Sequence, residues 1–446
     1  MLKPRLIAVI LILLSSGFSL LTGILLDRGS HASTANYRAI YYGARCVINR
    51  SDPYQPADFL KVYAQESGEF PPSPVKKQLF LRAVPICVNL PTTLFLVAPL
   101  ALLPWSISQG VWLALIAISY TLAAFLVYDL ASEYAPRLSL FLICVMLANS
   151  QVLFTVGNTA GIAVSLCIIA TWCFIRRRSI WIGTLLFALS LALKPHDAGL
   201  LWALLLISGG ELRKRAIWTL VIVIGLLVPS IAWISTVSPH WNEELKANLS
   251  TTSQRGDISD PGPTSTSRQG SADVIISLQT VLSVLRDDPG FYNPASILIC
   301  AAIFAIILVT TIRGRPGVQD MGFAIAAVAA LSMLPSYHRP YDAKLLLLAV
   351  PAAAMLWRNG RKGIPLVTVA AVVLTSDVPL AILSMITKNI HISEMSFLPR
   401  LMVLPLIRPA PLILLTLTVL YGIAYARNLR SQSLIHFAPA KSTVHG

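Results

Sequence analysis

Long apolar runs, repeated along almost the whole chain, are the feature that leaves the fewest folds open. Leu6 to Leu26, Ile107 to Tyr128, Ala216 to Thr236, Ala295 to Thr311, Ile364 to Ile386 and Leu401 to Tyr425 approach the roughly 20 residues a helix needs to cross a hydrocarbon core of about 30 Å. Val88 to Leu103, Ile180 to Leu193, Ala198 to Ser208, Met321 to Leu334 and Leu345 to Trp357 are shorter and read as helices that stop below a membrane face. Only 12% of residues are charged, about half the share in a soluble domain, so a soluble enzyme is excluded. Backbone polar groups in lipid must bond internally, which restricts the spans to helices. The first run follows Lys3 and Arg5, is long for a signal peptide and has no small-residue cleavage pattern before Asp27, so it reads as an uncleaved helix.

Basic residues tend to stay on the cytoplasmic side. Lys3/Arg5, Arg176 to Arg178, Arg213 to Arg215, Arg313/Arg315, Arg358 to Lys362 and Arg427/Arg430 therefore place both termini, with a tail over 426–446, in the cytoplasm. Two large polar segments fall outside, 27–87 and 237–294, and so do the turns 194–197, 336–344 and 387–400. From Arg176 onward the alternation closes. Before it, 138–175 looks like two helices and leaves an odd number of crossings, so an irregularity is expected at Asn149 to Asn158. The expected architecture is all-α and integral to the plasma (inner) membrane: one polytopic domain, 1–446, of about twelve transmembrane helices with two large extracytoplasmic loops. Within the second loop, apolar residues spaced three and four apart over 272–286 predict an amphipathic helix, lying in the interface or packing on the bundle.

The formal charge of +15, with few other charges to dilute it, points to an anionic membrane surface or a lipid phosphate rather than nucleic acid. The six cysteines show no metal-type spacing; Cys46 and Cys87 flank one outer segment and could pair there. No metal and no cofactor is called for. Asp287-Asp288, the tight acidic pair, precedes a Pro-Gly turn and reads as a helix terminator.

Ionised groups away from span ends are costly in a membrane and so mark function. Lys194, His196 and Asp197 share a Pro-broken turn between two short apolar helices. Tyr337 to Lys344 pack His338, Arg339, Asp342 and Lys344 onto the same side, a density that suits a phosphate, with Arg339 offering two parallel contacts and Lys344 a point charge. Solvated caps are the plain alternative for both. Asn36 to Tyr54, with Tyr41, Tyr42, Arg45 and Asp52, offers the aromatic faces and ionic groups a sugar needs, although aromatics are common at membrane boundaries. Gln151, Gly157 and Asn158 form a weaker fourth cluster.

The segments ANYRAIYYGARCVINRSDPY, GNTAGIAVSLC, LLFALSLALKPHDAGL and YHRPYDAKLLLL, in that order over about residues 35–348, resemble glycosyltransferase family 87, integral-membrane enzymes of the GT-C fold class that use polyprenyl-phosphate sugars, mannosyl donors among them. Lys194-Pro195 is the most specific match, although the family continues Gln-Pro where this chain has His196-Asp197; Tyr341-Asp342 matches a late position. The family's Asp ahead of the tyrosine pair, taken as the catalytic base, is Asn36 here. An amide is no base at neutral pH, so Asp27 or Asp52 substitutes, or the acceptor or site differs, or activity is lost. Asp27, at the outer end of helix one, ranks first. The resemblance implies hexosyl transfer, with mannose the first candidate, from a polyprenyl-phosphate sugar to a lipid or glycan acceptor on the outer face, with no nucleic acid involved. Lys194, His196, Arg339 and Lys344 would grip the leaving phosphate, and His338 would donate a hydrogen bond or relay a proton. Asp197 and Asp342 would orient His196 and Lys344, with Asn36, Tyr41, Tyr42, Arg45, Asn158 and Tyr341 in support. A transporter or flippase, or an inactive GT-C-like protein, is the competing reading; charges gathered at one face rather than the midplane favour the enzyme.

Overall fold

The computed structural model describes residues 4–29, 34–66, 70, 73–262, 275–314, 316–387, 390 and 395–437. Helix makes up 80% of the molecule and no strand occurs among the described residues. Arg5–Leu26, Trp105–Ala131, Pro136–Val156, Gly210–Ser235, Pro289–Gly314 and Pro409–Arg430 are long and apolar enough to cross a membrane. A seventh span arises if Gly363–Leu374 and Asp377–Thr387, bent by 70° at their junction, count as one. The helices Gly210–Ser235 and Pro289–Gly314 expose Val228, Leu298 and Ile306, the surface of a helix that meets lipid rather than water. The protein is therefore a helical membrane protein.

The expectation of about twelve crossings included runs that fold as apolar helices of 10–17 residues, among them Pro91–Ala101, Ala160–Arg176 and Ile180–Leu193. Pro91–Ala101 has 11 residues and an internal Pro99, so it rises only about 16 Å before the chain turns into Trp105–Ala131. The irregularity expected at 149–158 is present, since a helix ends at Ala148 and the next covers Gln151–Val156, but the two together still make a 21-residue span.

One end of the bundle gathers basic segments. Arg176 pairs with Asp129 at 3.0 Å and with Glu133 at 2.6 Å, Arg358 donates to the Glu133 carbonyl, and Arg215 lies 4.4 Å over the Trp181 ring. Lys194 stands at the opposite end of the 14-residue helix Ile180–Leu193, about 21 Å along its axis.

Of the amphipathic helix expected over 272–286, only Gln279–Leu285 is helical among the described residues; 263–274 lie outside them. Ile276 N–H and Leu278 N–H instead donate to the carbonyls of His338 and Leu334, both at 2.9 Å, so 275–278 of the segment are irregular rather than helical and tied to the bundle. Its stripe, Ile275, Leu278, Val281 and Leu282, is buried there. Cys46 and Cys87 are both free, buried thiols, their shared environment being core rather than a bridge. Asp288 starts a helix rather than ending one: its carboxylate accepts the Gly290 N–H at 2.9 Å, at the head of Pro289–Gly314. The segment 426–446 begins inside a helix that runs from Pro409 to Phe437; 438–446 lie outside the described residues. So do 388–389 and 391–394 of the expected outer turn, and 30–33, 67–69 and 71–72 of the first outer segment.

Close approach of Ala160–Arg176 to Trp105–Ala131 depends on Gly161, where an added Cβ would lie 2.7 Å from Ile116 Cγ2 and 3.0 Å from Leu153 Cδ1. Gly161→Ala is expected to destabilise by about 1–3 kcal/mol through overpacking. Gly110→Ala, where nothing lies within 4 Å, should be neutral or slightly stabilising, since Ala is the better helix former. Thermal unfolding of the two variants in detergent would check the contrast.

Candidate active site

The helix Ile180–Leu193 ends where it does because Pro195 has no N–H to continue it and restricts the residue before it. Lys194 leaves the helical region (φ −155°, ψ 81°) and Pro195 opens the next helix, Pro195–Ser208. The elbow confines Lys194, His196 and Asp197 to one turn. Two of the carbonyls left over at the helix end are met from another helix: Thr92 Oγ1 donates to Ala192 O at 2.6 Å and Thr93 Oγ1 to Leu193 O at 3.0 Å.

The segment after Leu334 meets this elbow. Asp342 Oδ1 pairs with Lys194 Nζ, and its Oδ2 accepts the Arg339 N–H at 2.9 Å. Lys194 Nζ also lies 3.4 Å from Asp197 Oδ2 and 5.1 Å from the Tyr341 ring centroid. Asp197 and Asp342 are each 1% exposed, so one ammonium balances two carboxylates withdrawn from water. Removing one member of such a buried set costs about 3–5 kcal/mol, because a charge is left uncompensated. His338 Nε2 stands 3.5 Å from Asp197 Oδ1, and His196 Nε2 3.7 Å from the same oxygen, with the two rings 4.9 Å apart. His338 is buried, whereas the His196 side chain is 42% exposed. The Arg339 guanidinium donates to Ile258 O at 2.6 Å and sits 5.3 Å over the Tyr337 ring, so the second polar loop also reaches the site.

Lys344 departs from expectation. Asp342 serves Lys194 instead of Lys344, because Asp342–Ala349 is a 3-10 helix in which residues two apart point to different sides. Lys344 Nζ donates to Asn149 O at 2.8 Å, in the break between the helices ending at Ala148 and starting at Gln151. It also interacts with Asp377, whose Oδ2 accepts the Val152 N–H at 2.8 Å. Asp377 was missed, although a carboxylate inside the apolar run Ile364 to Ile386 was the available signal.

The first-loop candidates have partners of their own. Tyr41 and Tyr42 are buried on the helix Ala35–Ile48, with Tyr41 5.1 Å edge-on to Trp105 and Tyr42 stacked at 6.0 Å. Their ring faces pack the loop onto the bundle and are not open to a sugar. Arg45 donates to Glu66 at 2.7 Å and to Ala101 O at 3.1 Å. Asn36 is half-buried in the first turn of its helix. Asn158 Oδ1 accepts the Ala160 N–H at 2.8 Å and so caps the helix Ala160–Arg176. Asp27 belongs to the helix Pro4–Gly29. Asp52 accepts the Tyr54 N–H at 2.8 Å beside Glu244. Burial pushes the Asp52 carboxyl up, and Glu244 adds to the shift; burial pushes Glu244 the same way, but hydrogen bonds from Ser238 and Gln55 outweigh it and hold its carboxyl down.

The apolar spans define a helical membrane protein that carries charged clusters at the ends of its bundle. More narrowly, the chain belongs to glycosyltransferase family 87, whose model matches residues 89–336, more than half of its 446 residues. It is thus a membrane glycosyltransferase. The match takes in Thr92, Thr93 and the whole Lys194 elbow and ends at Ser336, so Asp342 is joined to the matched part by its ion pair. Comparison with curated proteins and with solved structures returned no match.

Two outcomes are expected. Lys194→Ala should lower stability by about 3–5 kcal/mol and Lys194→Arg by much less, read as melting temperatures in detergent. A carboxyl raised in the folded state costs stability progressively as pH rises from its unfolded to its folded value, so Asp52→Asn should melt no lower than the parent at neutral pH, with any gain shrinking as pH falls toward about 4.

Proposed function

We propose that this glycosyltransferase moves a hexose, mannose in the first instance, from a polyprenyl-phosphate donor to a lipid or glycan acceptor at the outer face of the plasma membrane. The observation that carries the reading is the meeting of the Lys194 elbow with the His338–Asp342 segment at the end of the bundle opposite Arg176, Arg215 and Arg358. Those basic segments favour the cytoplasmic side, which puts the elbow outside and both termini inside. In this reading the acceptor hydroxyl attacks the anomeric carbon, the bond from that carbon to the lipid phosphate oxygen breaks, and negative charge gathers on the departing phosphate. Preorganised donors stabilise such charge, and losing one costs on the order of 100-fold. Lys194 has a remaining N–H for this, and His196 and Arg339 stand beside it. Lys344 supports the site indirectly by holding the Asn149 break. Asp342 and Asp197 orient Lys194, and Asp197 faces both histidines.

An apolar hollow of about 530 Å³ lined by Phe95, Leu96, Ala98, Pro99, Leu102 and Trp233 supports a prenyl-linked donor. It lies on the helix Pro91–Ala101, whose Thr92 and Thr93 bind the end of the Lys194-bearing helix. A prenyl chain in the hollow and its phosphate near Lys194 would use the two ends of one helix.

The base is Asp27 in this reading, with Asp52 as the substitute. In membranes given a radiolabelled polyprenyl-phosphate mannose, Arg339→Ala and Lys194→Arg should reduce transfer about 100-fold or more at unchanged protein level. Full transfer by both would remove the cluster from the site. Asp27→Asn should cost about 100-fold or more, as loss of a general base does, and Asp52→Asn far less; the reverse order would move the base to Asp52. Ala98→Trp should raise KM for a long-chain donor more than for a short-chain one while leaving kcat little changed.

A further inference from the structure

Asp197 and His338 face each other in an arrangement that no hydrogen bond explains. Both are 1% exposed, and neither Asp197 oxygen nor His338 Nε2 has a hydrogen-bond partner. The other imidazole nitrogen, Nδ1, lies 2.9 Å from the Ser336 carbonyl oxygen. A carbonyl only accepts, so Nδ1 carries the proton there and the neutral ring presents a lone pair at Nε2. That lone pair points at Asp197 Oδ1, itself an acceptor, 3.5 Å away. A second imidazole nitrogen, His196 Nε2, approaches the same oxygen at 3.7 Å, and one ligand atom from each of the three residues lies within 4.8 Å of the others. Electron-rich atoms gathered in a buried place repel one another unless something positive stands between them.

We infer that His196, Asp197 and His338 form a site for a divalent transition-metal ion. Ligand bonds of about 2.0–2.2 Å place neighbouring donors about 3–3.7 Å apart at ordinary coordination angles, which is the spacing of Oδ1 from the two imidazole nitrogens, while the cluster's full span of up to 4.8 Å would close by about 1 Å around an ion. The donor set of two imidazoles and one carboxylate suits zinc or manganese rather than magnesium or calcium, which take oxygen ligands. The Ser336 carbonyl bond to Nδ1 is the outer contact that orients a metal-binding histidine. Lys194 lies on the Oδ2 side of Asp197 and leaves Oδ1 to the metal. Charge balance is compatible: Lys194 and Arg339 offset Asp197 and Asp342, and a divalent ion would make the neutral set cationic toward an anionic headgroup. With His196 42% exposed on its side chain, the remaining coordination positions can open toward solvent, where a phosphate oxygen could bind.

The inference concerns binding alone and stands whatever sugar or donor the enzyme uses. The test is titration of the purified, chelator-stripped full chain in nanodiscs with Mn2+, followed by loss of the free-ion paramagnetic resonance signal, with Zn2+ as competitor. Saturable, near-stoichiometric binding is expected in the parent and in His240→Ala, a histidine outside the cluster. His338→Ala, Asp197→Asn and His196→Ala should each weaken it at least tenfold. His196 is exposed enough that its variant should fold, which keeps the test decisive if Asp197→Asn does not; monodispersity on gel filtration checks this. Absence of saturable binding of either ion, or binding equal to the parent in His196→Ala and His338→Ala, would overturn the site and leave the Asp197–His338 contact as an imidazolium ion pair.

Discussion

One ammonium group held between two buried carboxylates governs the arrangement of the functional end of this molecule. Lys194 meets Asp197 from its own elbow and Asp342 from a segment almost 150 residues later. In an apolar bundle none of the three can be left alone, since an unpaired charge there costs several kcal/mol. The pairings therefore fix the elbow against the Arg339–Asp342 turn, and with it the positions of both histidines. Association of apolar helices alone would not impose this register, because lipid solvates their surfaces as well as neighbouring helices do.

The same requirement explains why irregular backbone collects inside the bundle. The break at Asn149 and the bend before Asp377 leave polar groups that lipid could not satisfy. They answer each other: Lys344 takes the free carbonyl of Asn149, Asp377 takes the free N–H of Val152, and the two charges sit together. The carboxylate at the start of Asp377–Thr387 and at the head of Gln151–Val156 also lies where a helix dipole favours negative charge.

Much of this could be read from residue order. The Pro195 elbow, the density of charge in Tyr337–Lys344, the break near Asn149 and the family itself were all visible, because each depends on local chemistry or on a short motif. What misled was local periodicity taken without context. The stripe over 272–286 has helical spacing, yet Ile276 and Leu278 bond to the carbonyls of His338 and Leu334 outside any helix, partners the sequence does not display. Tyr41 and Tyr42 look like a sugar platform until Trp105 is found against their faces. Asp342 and Lys344 look like partners only if the segment is given a geometry other than 3-10.

The chain by itself determined that the protein lives in a membrane, that its helices carry few charges, and that those charges cluster in a handful of turns; hydropathy and charge placement act residue by residue and need no folded context. Only the tertiary structure decided which charges meet, that Lys194 takes Asp342 while Lys344 takes Asn149 and neighbours Asp377, and that Asp197 and two histidines share one small space. Such pairings depend on how distant helices cross, and a buried charge selects whichever partner packing brings within reach.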